Sequence, residues 1–345
     1  MARTCSQQHV LWITLLLFSV ISPVHANNNW FGSCAKQNTT LLQSGFDGVE
    51  VEPLNNQSAT LKAPKKAFIC SQPWQSGYLS ANGFNGGKLN FEEGTDTERN
   101  AKVIYSHARK SPVLQMTLTA PNEDTHKGRV QLDLSSVEGN KALSVSTKMF
   151  LGSGFDALKT YPEKIQWFVL SSWWNNAIGD NSPYPFVISI DLVNVTPGYL
   201  NFRARSRSYD ASTHQWSLPI WIETNTEFSV PVGEWIQLEY KLIEGNALTG
   251  NFSLYATTQA GERHTIFNIQ NYTHHPSDPT PDGFSDISPI KIYTYNSPVE
   301  YVAKQKNTLS IQWDDLMIIG CQQPNECLHF SPAKPPSGLE ASATP

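Results

Sequence analysis

Apolar and polar side chains alternate with a period of two along much of this 345-residue chain. In RVQLDLS (129–135), Val130, Leu132 and Leu134 fall on one side, with Arg129, Gln131 and Asp133 on the other. Successive strand residues point to opposite faces, so the pattern predicts strands with one dry and one wet surface. The same reading covers VLQMTLTA (113–120), ALSVSTKMFL (142–151), FVISIDLVNV (186–195), YLNFRARS (199–206) and WIQLEYKLI (235–243). It extends to NFSLYAT (251–257), PIKIYTY (289–295) and LSIQWDDLMII (309–319). Gly, Pro, Asn and Asp punctuate the runs, as turns between strands require. Long helical periodicity is absent, and no repeat near the 40–50 residues of a propeller blade occurs. The expectation is an all-β protein, a single two-sheet antiparallel β-sandwich.

The ends of the chain follow other rules. Residues 1–26 carry Arg3, an apolar run from Val10 to Ile21, and Val24-His25-Ala26 with small residues at −3 and −1. That is the pattern of a secretory signal peptide, too short in its apolar part to span a bilayer. Residues 27–330 are then the folded domain, and the Pro/Ala/Ser-rich 331–345 a disordered tail. The expected location is secreted or periplasmic. Cys34, Cys70, Cys321 and Cys327 remain after the leader is removed, and an even number in an oxidising compartment favours two disulfides. Proximity in sequence favours Cys34–Cys70 with Cys321–Cys327, while a clamp joining the two ends of the domain is the alternative.

Composition narrows the partners. The formal net charge is −5 and only 16% of residues are charged, with no basic run. Nucleic acid and anionic membranes are therefore not expected partners. Ten Trp and twelve Tyr in so weakly charged a chain suit a core, and also sugar stacking at a few positions. There is no G-x-S-x-G, H-E-x-x-H or phosphate-binding loop, which removes the usual esterase, zinc-protease and nucleotide chemistries.

Several segments together resemble the concanavalin-A-like jelly rolls, and among them the secreted polysaccharide lyases. FDGVEVEP (46–53) stands where such domains open, and KGRVQLDLS (127–135) is similar to the lyase strand whose arginine faces the substrate groove. ALSVSTKMFLGSGFDALKTYP (142–162) is similar to the next strand and crossover, and KIQWFVLSSWWNN (164–176) to a groove strand. PIKIYTYN (289–296) resembles their late lysine–tyrosine strand, and SIQWDDLMI (310–318) the closing strand of the superfamily. Two departures stand out: Gln131 occupies a position usually held by Glu, and Ser171, Ser172, Trp173 and Trp174 replace a Gln-x-His pair. The resemblance implies cleavage of a uronate-containing glycan by β-elimination. The alternatives are a non-catalytic, lectin-like jelly roll and a glycoside hydrolase of the same fold; the latter is disfavoured because its E-x-D-x-x-E strand is missing.

Elimination removes the C5 proton of a uronate and expels the 4-linked sugar. It needs a group to neutralise the carboxylate, a base and an acid. Arg129, with Asn175, is the expected neutraliser. Lys291, Tyr293 and Tyr295 share one face of their strand, and a lysine beside a phenol can favour the phenolate. Tyr295 matches the family spacing and is preferred slightly over Tyr293 for proton transfer. His274 or His275, in NYTHHPSDPTPDGF (271–284), is the candidate replacement for the missing base. Trp173 and Trp174 are adjacent, so one of them is expected to be exposed and to stack on a pyranose, with Asn175 and Asn176 bonding its hydroxyls. Arg203, Arg205 and Arg207 alternate along one strand, suited to carboxylate or sulfate. No organic cofactor is required. A structural calcium ion is compatible, although Asp278, Asp282 and Asp286 lack the ligand rhythm of a dedicated loop. The partner is expected to be an anionic polysaccharide, and the protein a monomer.

Overall fold

The structure is a computed structural model that describes residues 40–62, 79, 84–178, 182–210 and 212–321. The chain divides into Met1–Lys36 and Gln37–Pro345, and every described residue lies in the second unit. The expected leader, the start of the domain and the tail lie outside the described residues.

Nineteen described strands, numbered β1–β19 along the chain, form two antiparallel sheets. The first runs β16 (Arg263–Gln270), β15 (Asn251–Thr257), β14 (Trp235–Ile243), β8 (Ala142–Leu151), β19 (Leu309–Cys321), β6 (Ser111–Leu118) and β5 (Arg99–Ser106). β1 (Thr40–Ser44) also pairs with β19. The second runs β12 (Gln215–Trp216), β11 (Asn201–Asp210), β10 (Phe186–Val193), β9 (Phe168–Asn175), β17 (Phe284–Ser288), β7 (Lys127–Asn140), β4 (Phe84–Phe91), β3 (Ser58–Lys62) and β2 (Glu50–Asn55). β13 (Trp221–Thr224) pairs with β11, and β18 (Lys291–Tyr295) lies between β7 and β9. The chain crosses repeatedly from sheet to sheet. This is the expected two-sheet antiparallel sandwich of jelly-roll type.

Alternation builds the core. On β8, Leu143, Val145, Met149 and Leu151 are buried, while Ser144, Ser146 and Lys148 between them are only half-buried. Across the sandwich, β7 contributes Val130, Leu132 and Leu134, all fully buried. Burying an aliphatic side chain of this size stabilises by about 1.5–3 kcal/mol, so these inward faces hold the sheets together. The helices α1 (Gly154–Leu158) and α2 (Asn296–Lys304) are short, and α2 begins directly after β18 with Tyr295 as its N-cap residue.

Pattern and structure part company where apolar residues are sparse. β4, β5 and β16 read weakly as strands; β5, for example, buries only the two end residues of RNAKVIYS. Pairing to a neighbouring strand supplies what local pattern lacks. Cys321 ends β19 buried and engaged in an interaction. Cys34, Cys70 and Cys327 lie outside the described residues, so their pairing stays an expectation. Among the described residues no helix is long and apolar enough to cross a membrane.

Candidate active site

A β-bulge sets the site. On the β9–β10 pair, Ile190 opposes Ser171 while Asp191 opposes Val169, leaving Leu170 as an extra residue. The bulge rephases the strand. Leu170, Ser171 and Trp173 face the interior, whereas Val169, Ser172 and Trp174 face a cavity on the opposite surface of the sheet. Next to them, β18 lies between β9 and β7, with Tyr293 opposite both Val169 and Arg129, and Lys291 opposite Gln131. Ile292 is buried on the core side, so Lys291, Tyr293 and Arg129 share the outer face.

The cavity measures about 280 Å³. Its aromatic walls are Trp167, Trp174, Trp216 and Tyr293, and its cations are Lys127, Arg205, Arg207 and Lys291. No carboxylate lines it among the described residues. Trp167 stands 4.8 Å from the ring of Tyr293, and Trp174 stands 5.7 Å from Trp216.

Lys291 is buried to 6% exposure, and its ammonium donates a 2.8 Å hydrogen bond to Ser172 Oγ. Burial lowers its pKa from 10.5 to about 8; Asp133 resists that shift and Arg129 adds to it. Asp133 is itself held by Gln131 Nε2 at 2.7–2.8 Å and by the hydroxyl of Ser288 at 2.5 Å. Lys291 Nζ lies 5.7 Å from the Tyr293 ring centre, and the Arg129 guanidinium 5.5 Å from it. The phenolate expectation fails here. Burial and Glu92 push the Tyr293 pKa upward, outweighing Arg129, so Tyr293 stays a protonated phenol. Arg129, the expected carboxylate neutraliser, is drawn to Glu92, 3.3 Å from its Nε, and does not line the cavity.

Several expected site residues lie elsewhere. Tyr295 is not part of the cavity lining; its hydroxyl accepts a 3.3 Å bond from the Gln166 amide and stands beside Tyr161. Trp173 is wholly buried, 4.7 Å from Tyr240 and 5.7 Å from Phe252, so of the adjacent pair it is Trp174 that reaches the cavity. Asn175 follows Trp173's side of the strand and donates inward to Glu244 at 2.6 Å. Asn176 turns the chain at φ 59° and donates to Asp278 at 2.9 Å, away from the cavity lining. His274 donates to the His275 carbonyl at 2.9 Å. His275 packs 5.3 Å from Tyr184, and burial lowers its pKa. Neither histidine lines the cavity. Asp278, Asp282 and Asp286 do not converge, and no group of three His, Cys, Asp or Glu among the described residues could hold a metal ion.

Three contributors had little or no signal in the sequence. Trp167 precedes its strand, Trp216 sits on a strand of two residues, and Asp191 is a fully buried acid in an apolar run. Asp191 explains two of the three arginines. It pairs with Arg203 at 3.0 Å and with Arg205 at 2.8 Å. Burial lowers the Arg205 pKa and Asp191 opposes that. Removing one partner of a buried ion pair strands the other charge, at a cost of about 3–5 kcal/mol. Asp191→Ala should therefore lose stability by roughly that amount in urea unfolding, with Asp191→Asn losing less; an unchanged midpoint would show that the arginines find other partners.

No family model and no curated protein sequence matches the chain. Among solved structures it is similar to an endo-β-1,4-glucuronan lyase from the fungus Trichoderma reesei, at 12% identity and TM-score 0.41, over 65% of this chain and 87% of that one. It is similar to the alginate lyase Aly36B at 10% identity and TM-score 0.43, over 80% of this chain and 95% of that one. A marine alginate lyase from Aplysia kurodai is similar at 10% identity and TM-score 0.41, over 78% of this chain and 100% of that one.

Proposed function

We propose that this chain acts outside the cell and cleaves a uronate-containing polysaccharide by β-elimination in the cavity on the second sheet. One observation carries the reading: four cations and four aromatic rings line that cavity without a carboxylate among the described residues. Aromatic faces suit pyranose rings, and a cationic surround suits a uronate carboxylate.

The chemistry divides among three side chains. Neutral Lys291 takes the C5 proton; the electron pair of that bond forms the C4–C5 double bond. The C4–O4 bond breaks as Tyr293 gives its proton to O4. Arg205, which lines the same cavity as Lys291, offers its charge to the carboxylate as the enolate develops. Lys291 and Tyr293 rise from one face of one strand, about 7 Å apart along it. They would meet the sugar from one side. That geometry requires the C5–H and C4–O bonds to be cis, as in glucuronate and mannuronate and not in guluronate or galacturonate.

Incubation with glucuronan, mannuronate-rich and guluronate-rich alginate, ulvan, heparin and polygalacturonate tests this, read by the ultraviolet absorbance of the unsaturated product. A rise is expected with a gluco- or manno-configured uronan and none with guluronate-rich alginate or polygalacturonate. Binding without any rise would replace the lyase with a lectin, and new reducing ends without unsaturation would replace it with a hydrolase.

A further inference from the structure

Of the three arginines alternating along β11, two share a carboxylate and one has none. Arg203 and Arg205 share Asp191, whereas Arg207 stands opposite Val187, and beyond Val187 stands Trp174. No ion pair or hydrogen bond engages the Arg207 side chain among the described residues, and its Nε is buried without a partner. A buried, unpartnered guanidinium nitrogen is costly and uncommon, so this one calls for an acceptor. The cavity supplies the room. Arg207, Trp174 and Trp216 all line it, and Trp216 remains 44% exposed at its rim. Tyr209 meets Trp216 edge-on at 5.3 Å and pairs with it across the β11–β12 hairpin, which holds that indole over the site.

We propose that Arg207, Trp174 and Trp216 form a second subsite, which takes an oxyanion substituent on the sugar next to the one over Lys291. This rests on the reading of the cavity as a uronan site. Trp174 lies two residues beyond Ser172, the partner of Lys291, or roughly 7 Å along the strand, the scale of one sugar residue. The indoles hold the ring, and the planar guanidinium fork holds a carboxylate or sulfate in two-point contact, which an ammonium cannot copy. Polymers with acidic groups on consecutive sugars are therefore preferred over those in which acidic and neutral sugars alternate.

The test is equilibrium binding by titration calorimetry, in a Lys291→Met background so that ligand is not consumed. The probes are a fully charged oligouronide, the same oligomer with its carboxylates partly reduced to alcohols, and a sulfated neutral oligosaccharide. Arg207→Met should weaken binding of the charged oligouronide at least about tenfold and leave the reduced oligomer nearly unaffected. Arg207→Lys should recover only part of the loss, and Trp216→Ala, at an exposed position, should weaken all sugar ligands. Sulfated sugar binding that depends on Arg207 would identify sulfate as the group held; dependence confined to the oligouronide would identify carboxylate. Equal affinity of Arg207→Met and its parent for every charged probe overturns the subsite, as does an equal loss on charged and reduced oligomers. The two readings fail separately: Arg207-dependent binding without cleavage of any uronan by the unaltered chain would sink the lyase and keep the subsite.

Discussion

Lys291→Met is expected to abolish elimination, by three orders of magnitude or more (~10³), while making the protein no less stable at pH 7. The loss reflects the role: a general base contributes about 10²–10⁴, and methionine offers no proton acceptor in its place. Lys291→Arg should not rescue it, because a guanidinium does not deprotonate in the working range. The pH profile gives an independent check. Burial lowers the Lys291 pKa from 10.5 to about 8, so the neutral, proton-accepting form grows as pH rises toward 8. kcat/KM should climb tenfold per pH unit below that value and level off above it; a flat profile between pH 6 and 9 would remove Lys291 as the base.

Stability carries the cost of that tuning. The folded pKa lies below the unfolded one, so between about pH 8 and 10.5 the unfolded chain binds more protons and stability rises with pH. Below pH 8 the folded protein carries the full cost of a buried ammonium, about 3 kcal/mol for a shift of this size. Methionine lacks that cost but leaves Ser172 without its donor, so the gain is part of this figure. The melting temperature of Lys291→Met should exceed that of the parent by a few degrees at pH 7, with the difference shrinking toward pH 10. A variant that melts lower at pH 7 would mean the lysine is retained for structure.

Much of the candidate site's placement was legible because strands of the half-buried kind announce their two faces. The alternation in RVQLDLS and PIKIYTYN put Arg129, Lys291 and Tyr293 on a wet face, and the register of β18 against β7 brings these faces side by side. Adjacency of Trp173 and Trp174 implied that one would be outward; which one depends on the bulge at Leu170, and that is settled by pairing with β10, not by local sequence. Asp191 was hidden for a similar reason. It lies in FVISIDLVNV, where every residue of β10 is buried, so its function as counter-ion emerges only when β11 supplies Arg203 and Arg205 opposite. The histidines stood out because a loop edge rich in polar residues looks functional, yet neither lines the cavity. Their ring nitrogens are spent on local bonds, to the His275 carbonyl and from the Ser277 amide.

The choice between Tyr293 and Tyr295 turns on where β18 gives way to helix. α2 starts at Asn296, so Tyr295 leaves the sheet at its last residue, takes the Gln166 amide on its hydroxyl and stays outside the cavity lining. Tyr293, one pleat earlier, keeps its place in the wall between Lys291 and Trp167. Burial holds its pKa above the ordinary phenol value, so Tyr293 still carries a proton to give when O4 departs. Tyr293→Phe should therefore cost about 10²–10⁴ in kcat with little change in oligouronide affinity. Tyr295→Phe, at the position the family spacing favoured, should keep most of the activity. The decisive comparison uses a synthetic uronide whose C4 substituent leaves without protonation, such as fluoride. Against that substrate the Tyr293→Phe defect should nearly vanish, because the missing proton is no longer needed. A defect equally large on both substrates would mean that Tyr293 positions the sugar, and that the acid is another group.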